Sequence, residues 1–374
     1  MNNNPSLKPD AFMLSTRIAS ARKEMNLSQQ DFAKRLGLRH AQTVSAIESG
    51  QRAVSAQELL KIMQLTGKSL EFFTDPYILA GEGQFSFRVK DVEDSDLTLF
   101  QQKAGRWMAA YRHIGQLQGE RPAPLSYRLN LNVSNTFEDA RAMAETLVDT
   151  WELGDIPAAR LNHFITSSIG IPVLYVDPEK DISGAACRIV DLNVILIRRS
   201  DAPGRRNYDL AHELFHILTW DVMLPSWHDR ELWQQTKKSK EQRIEKLANN
   251  FASALLMPEK SLRNFWCQRG NEDFNRWLVR VALHYQVSVQ ALKWRLINLE
   301  WCNMDEFKDV NLSNLVDEVS MPPPKFSEEF AKRLHWAIEK GVLSARKAAA
   351  IVDCMLDELL ELFRSYDLSA PFDL

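Results

Sequence analysis

Tyr208-Asp209-Leu210-Ala211-His212-Glu213-Leu214-Phe215-His216-Ile217-Leu218-Thr219-Trp220 is the stretch on which the reading of the whole chain turns. Leu210, Leu214, Ile217 and Leu218 recur at the spacing of one helix face. On such a helix His212 and His216 stand one turn apart on the same side, so both imidazoles can reach a single ion. Glu213 projects beside them, positioned as a base toward water. A catalytic zinc site also needs a third protein ligand and an open fourth position.

The third ligand is expected downstream, in Glu245-Lys246-Leu247-Ala248-Asn249-Asn250-Phe251-Ala252-Ser253-Ala254-Leu255-Leu256-Met257-Pro258. Glu245 is a lone carboxylate on an apolar helix and shares its face with the small residues Ala248 and Ala252, where two backbones can approach closely. Asn249, one turn on, is placed to orient a histidine ligand. HExxH alone also arises by chance, so this second helix gives the motif its weight. Stabilising a tetrahedral oxyanion needs a further donor, and Tyr208 and His228 are the candidates. His228 is open to three roles: oxyanion donor, fourth ligand or solvated loop histidine. No cysteine lies between His216 and Glu245 to block a metal.

Together the two motifs resemble the ImmA/IrrE family of metallopeptidases, over roughly Phe85 to Leu296. Further family-like pieces are Ser86-Phe87-Arg88, the strand Val194-Ile195-Leu196-Ile197-Arg198-Arg199 and the run beginning at Val281. The resemblance implies a zincin-like fold, zinc (with manganese as the alternative metal) on His212, His216 and Glu245, and Glu213 as the base. It also implies a substrate: family members cleave helix-turn-helix repressors after DNA damage or phage challenge, some of them stimulated by single-stranded DNA.

Toward the N-terminus, Leu27 to Arg52 has the grammar of a helix-turn-helix. Ser28 caps a helix, Ala33 permits close packing, Gly37 makes the turn, and Val44 and Ile47 anchor a second helix. Gln42, Thr43 and Ala46 then face outward, where glutamine can read adenine and Thr43 or Ala46 a thymine methyl. Gln29, Arg22 and Arg52 are the candidate phosphate contacts. The segment resembles the Cro-type repressor (Xre) family through Leu27-Ser28-Gln29, the central alanine, Gly37 and Ile47-Glu48. Residues 1–76 hold 10 Lys/Arg against 7 Asp/Glu, a weak basic tilt in a chain of net charge −3.

The chain of 374 residues, 45% hydrophobic and 25% charged, is too long for one ordinary domain and too apolar for disorder. Three units are expected: 1–76, all-α and DNA-binding; 77–304, a mainly α peptidase domain with a small β-sheet (α+β); and 305–374, a helical C-terminal segment serving as core or dimer interface. Gly81 to Gln84 reads as a connector. A hairpin is expected around Asp191, and its second strand is a candidate to pair with an extended peptide substrate. Three prolines, Pro322 to Pro324, mark the last break.

Cys187, Cys267, Cys302 and Cys354 lie too far apart for a zinc knuckle, and no window is long and apolar enough to span a membrane. The expectation is therefore a cytoplasmic protein. It would bind double-stranded operator DNA, plausibly as a homodimer on two half-sites, and cut a repressor in trans or itself, with single-stranded DNA as a candidate activator. The competing class is a non-proteolytic or antitoxin-like regulator whose metal domain is a sensor.

Overall fold

The computed structural model describes residues 9–120, 125, 127–189, 192–230, 239–307 and 321–373. Five helices open the chain: α1 (Pro9–Glu24), α2 (Gln29–Leu36), α3 (Ala41–Glu48), α4 (Ala56–Thr66) and α5 (Leu70–Thr74). Ser28 accepts from the Asp31 amide at the start of α2, and Gly37, in the left-handed region at φ 73, ends it. Ile18, Ala21, Phe32, Ala33, Leu36, Val44, Ile47, Ile62 and Phe73 form the core of this unit, the helix-turn-helix architecture expected from the spacing.

The connection to the next unit is built from buried charge. Arg17 on α1 is fully buried; its guanidinium donates to Glu82 Oε1 (3.1 Å) and to the carbonyls of Phe72 (3.0 Å), Asp75 (2.9 Å) and Ile78. Gly81, at φ 78, passes so close to α1 that a Cβ there would sit 2.1 Å from Ser20 Oγ. The expected connector at Gly81 to Gln84 is therefore only half loop. Gly83 already begins strand β1 (Gly83–Val89), because its backbone pairs in register with a strand far along the chain.

Next come α6 (Asp94–Leu117), α7 (Phe137–Thr150), α8 (Pro157–Phe164) running into a π-turn at Ile165–Ile169, β2 (Val173–Val176), β3 (Ile182–Ile189) and β4 (Leu192–Arg198). The hairpin pairs β3 with β4, although its turn, residues 190–191, lies outside the described residues. Then follow α9 (Pro203–Thr219), β5 (His228–Arg230), α10 (Lys240–Leu256), α11 (Glu259–Cys267), α12 (Phe274–Tyr285) and α13 (Val289–Asn298). After residues 308–320, which fall in the expected interdomain break and outside the described residues, come α14 (Glu328–Glu339), α15 (Ala345–Val352) and α16 (Leu356–Arg364).

The five strands form one mixed sheet, β2-β4-β3-β1-β5. Each face of it supports a separate core. Ala186, Ile195 and Ile197 join Leu214, Phe215, Phe251 and Trp277 from the helices on one face. Phe85, Phe87, Val194 and Leu196 join Trp107, Phe330, Leu334 and Phe363 on the other.

One expectation is met and another changes. Of the two roles expected for the C-terminal helices, core or dimer interface, α14 to α16 take the first: their apolar stripes complete the second core together with α6. Strand β4, the candidate for pairing with a peptide, is interior, bonded to β3 on one side and to β2 on the other, so its backbone groups are already satisfied. The outer side of β2 in turn meets Phe326 in a two-way bridge with Tyr175.

Candidate metal centre and nucleic-acid surface

Helix α9 begins on Pro203, whose fixed φ suits the first helical position, and buries Leu210, Leu214, Ile217 and Leu218 against the sheet. The opposite side of α9 meets α10, where Ala248 and Ala252 are fully buried and let the two helices close up. That approach brings three ligand atoms together. His212 Nε2 lies 3.0 Å from Glu245 Oε2 and 3.1 Å from His216 Nε2, and His216 Nε2 lies 3.4 Å from Glu245 Oε2. Bonds of about 2.0–2.1 Å in a tetrahedral arrangement separate ligand atoms by about 3.3–3.4 Å. The three atoms therefore lie close enough together to hold one metal ion.

The surroundings prepare these atoms. His212 Nδ1 faces Asn249 Oδ1 at 3.0 Å; Asn249 accepts the Nδ1 proton, which leaves the Nε2 lone pair for the ion. The Tyr208 hydroxyl donates to Asn249 at its carbonyl (3.2 Å) and its Oδ1 (3.3 Å). Burial, with Arg88 adding to it, lowers His212 to about 4 and keeps it neutral. Burial pushes against ionisation of Glu245, but His216 and His212 outweigh it and hold the carboxyl well below its ordinary value.

Glu213 sits beside the triangle, 1% exposed, against the backbone of β3. A Cβ at Gly184 would lie 3.4 Å from Glu213 Cγ and Oε1, so the carboxylate packs in contact distance of this residue of β3. Burial raises Glu213 to about 8, with His216 and Arg88 acting in the opposite direction. Arg88 stands across from Gly184 in the β1–β3 register, its Nε 3.2 Å from Asp209 Oδ1.

Two expected donors are used elsewhere. Tyr208 directs its hydroxyl to Asn249, the residue that faces His212 Nδ1. His228 lies on β5 with its Nε2 3.6 Å from Asp94 at the start of α6, on the sheet face opposite α9. It joins neither the ligand set nor the space beside Glu213.

In the N-terminal unit Gln42 is exposed on α3, and Thr43 and Ala46 are half-buried beside it. Arg22, expected at a phosphate, instead forms a two-pronged pair with Glu48 (2.6 and 3.0 Å) and binds the Leu27 carbonyl. Gln29 donates to the same Glu48 (2.8 Å). Both brace the end of α3 because a half-buried carboxylate there needs partners. Arg52 pairs with Glu58 at 2.7 Å yet stays 42% exposed. Lys34, Arg35 and Arg39 are exposed around the turn.

Residues 166–296 match the family model Peptidase_M78, the IrrE N-terminal-like domain, and residues 18–73 match the helix-turn-helix model HTH_3. The chain joins a helix-turn-helix domain to an IrrE-like M78 peptidase domain. No curated protein matches it. Among the described residues no helix is long and apolar enough to cross a membrane.

The M78 match takes in α9, α10 and all three ligands but leaves out β1 and α6. Arg88 and Asp209 are the site residues that the sequence did not single out for a role. The signal for Arg88 was the alternation Gln84, Ser86, Arg88 against Phe85, Phe87, Val89, which marks a strand with one polar face. For Asp209 it was a carboxylate one turn before Glu213 on the ligand helix.

Proposed function

We propose that the protein is a DNA-binding regulator whose M78 domain is a zinc-dependent, site-specific endopeptidase acting on a helix-turn-helix repressor, in a DNA-damage, phage-defence or mobile-element response. The observation that carries this reading is the convergence of His212 Nε2, His216 Nε2 and Glu245 Oε2 with Glu213 at their side. A metal held there supplies Lewis acidity toward a peptide carbonyl and toward water. Asn249 and Tyr208 keep His212 in the ligating tautomer. Glu213 takes a proton from the attacking water and returns it to the nitrogen of the breaking C–N bond. The closed, buried setting strengthens each of these interactions.

Cleavage of a separate chain is favoured over self-cleavage. The connector between the domains is packed on the α6 side of the sheet, where Glu82, buried, pairs with Arg17 and with Arg112 of α6 (3.3 Å). The metal helix lies on the other side. Operator binding as a homodimer, with single-stranded DNA as an activator, belongs to the same proposal.

The test is incubation of the full chain, loaded with zinc or manganese and with or without single-stranded DNA, with a helix-turn-helix repressor encoded nearby. A discrete fragment that Glu213→Gln abolishes is expected; a substrate left intact by the wild type counts against the reading. The burial of all four site residues favours a second reading, a regulator with a metal sensor. In that case operator binding responds to metal while no fragment forms.

A further inference from the structure

We propose that Arg88 is a catalytic residue of this centre, its guanidinium donating to the carbonyl oxygen that gains negative charge when a peptide bond is attacked there. This rests on the peptidase reading above. Strand β1 turns Phe85, Phe87 and Val89 into the α6 core, so Gln84, Ser86 and Arg88 face α9. Gln84 accepts from Trp220 Nε1 at 3.0 Å near the C-terminal end of α9, and Arg88 meets Asp209 toward its N-terminal half. The strand therefore runs along the metal helix. Arg88 is in register with Gly184, the residue against which Glu213 packs, and its charge acts on both His212 and Glu213.

Asp209 is fully buried and already has a second cation, Arg205, whose Nε lies 2.9 Å from its other oxygen. Neutralising Asp209 therefore does not depend on Arg88. What Asp209 does for Arg88 is fix one edge of its guanidinium at Nε, while the Tyr208 ring, 5.8 Å from Cζ, flanks it. A guanidinium held at one edge keeps its direction, and donors fixed in advance in a dry site are what oxyanion stabilisation requires. The side chain is 15% exposed, so its charge is little screened. The other two candidates for the role, Tyr208 and His228, are directed to Asn249 and Asp94.

The experiment measures binding of two probes to the zinc-loaded full chain by calorimetry: a phosphonamidate dipeptide, whose tetrahedral anion mimics the charged oxygen, and acetohydroxamate, which needs the metal alone. Arg88→Gln is expected to weaken the phosphonamidate by at least about tenfold and leave acetohydroxamate and zinc content unchanged. Arg88→Lys is expected to recover part of the loss, and it keeps the test available if the glutamine variant does not fold. Equal phosphonamidate binding by wild type and both variants overturns the proposal, as does loss of zinc in both variants, which makes Arg88 a structural prop. Failure of the wild type to bind either probe overturns the metal reading beneath it instead.

Discussion

Replacing Glu213 by glutamine should stabilise the metal-free protein, and the gain should depend on pH. The carboxyl is buried and lifted to about 8 from an ordinary 4.5. Its folded value therefore lies above its unfolded one. In that order the contribution to stability is intact below pH 4.5 and is lost as pH rises through about 8, because the unfolded chain gives up the proton first. At pH 7 the unfolded carboxyl is ionised and the folded one largely is not, a difference of roughly 3 kcal/mol; at pH 5 it shrinks to about 1 kcal/mol. Glutamine keeps the shape and removes the titration. All 10 tryptophans lie beyond residue 76, so urea unfolding of chelator-treated protein, followed by tryptophan fluorescence, reports on this part of the chain without the helix-turn-helix unit. The stability difference between Glu213→Gln and wild type should grow by about 2 kcal/mol from pH 5 to pH 7. A difference that is flat or falls over that range refutes the assignment of a buried, neutral Glu213.

Asn249→Ala removes the acceptor of the His212 Nδ1 proton and should weaken zinc binding about 10- to 100-fold in a chelator competition; unchanged affinity would mean the contact orients nothing. Gln42→Ala should cost about 1–3 kcal/mol of base discrimination in operator binding and leave the salt dependence unaltered. Equal loss on operator and random DNA would place Gln42 away from the bases. Glu82→Ala removes the carboxylate that Arg17 and Arg112 share in a buried setting and should destabilise the molecule by about 3 kcal/mol. The helix-turn-helix unit and the M78 domain should then unfold in two separable calorimetric transitions, whereas a single shared transition would show that the coupling lies elsewhere.

The parts of the site legible in the sequence are those set by local geometry. His212 and His216 meet because four residues of helix make one turn, and Asn249 follows Glu245 by the same interval. Even the limits of α10, Lys240 to Leu256, follow from its pattern of apolar residues. What escaped depends on pairing between distant segments. Strand β1 is seven residues long, and its role comes from β3, which lies beyond three α-helices and a strand. The same holds for Arg88, whose position beside Glu213 exists only through that register. The interior place of β4 depends on sheet order, which hydrophobic spacing does not encode. Tyr208 and His228 were reasonable donors by proximity in sequence, and were separated by which face of the sheet each side chain occupies. The Arg22–Glu48 pair is likewise not legible in sequence, since Glu48 lies on another helix.

The most direct test of the central claim is the metal content of the purified full chain and its ligand variants after loading with zinc and dialysis. The expected result is one zinc per chain in the wild type and in Glu213→Gln, and none retained by His212→Ala, His216→Ala or Glu245→Ala. Full zinc in those three variants, or its loss in Glu213→Gln alone, would contradict the division into three ligands and a base.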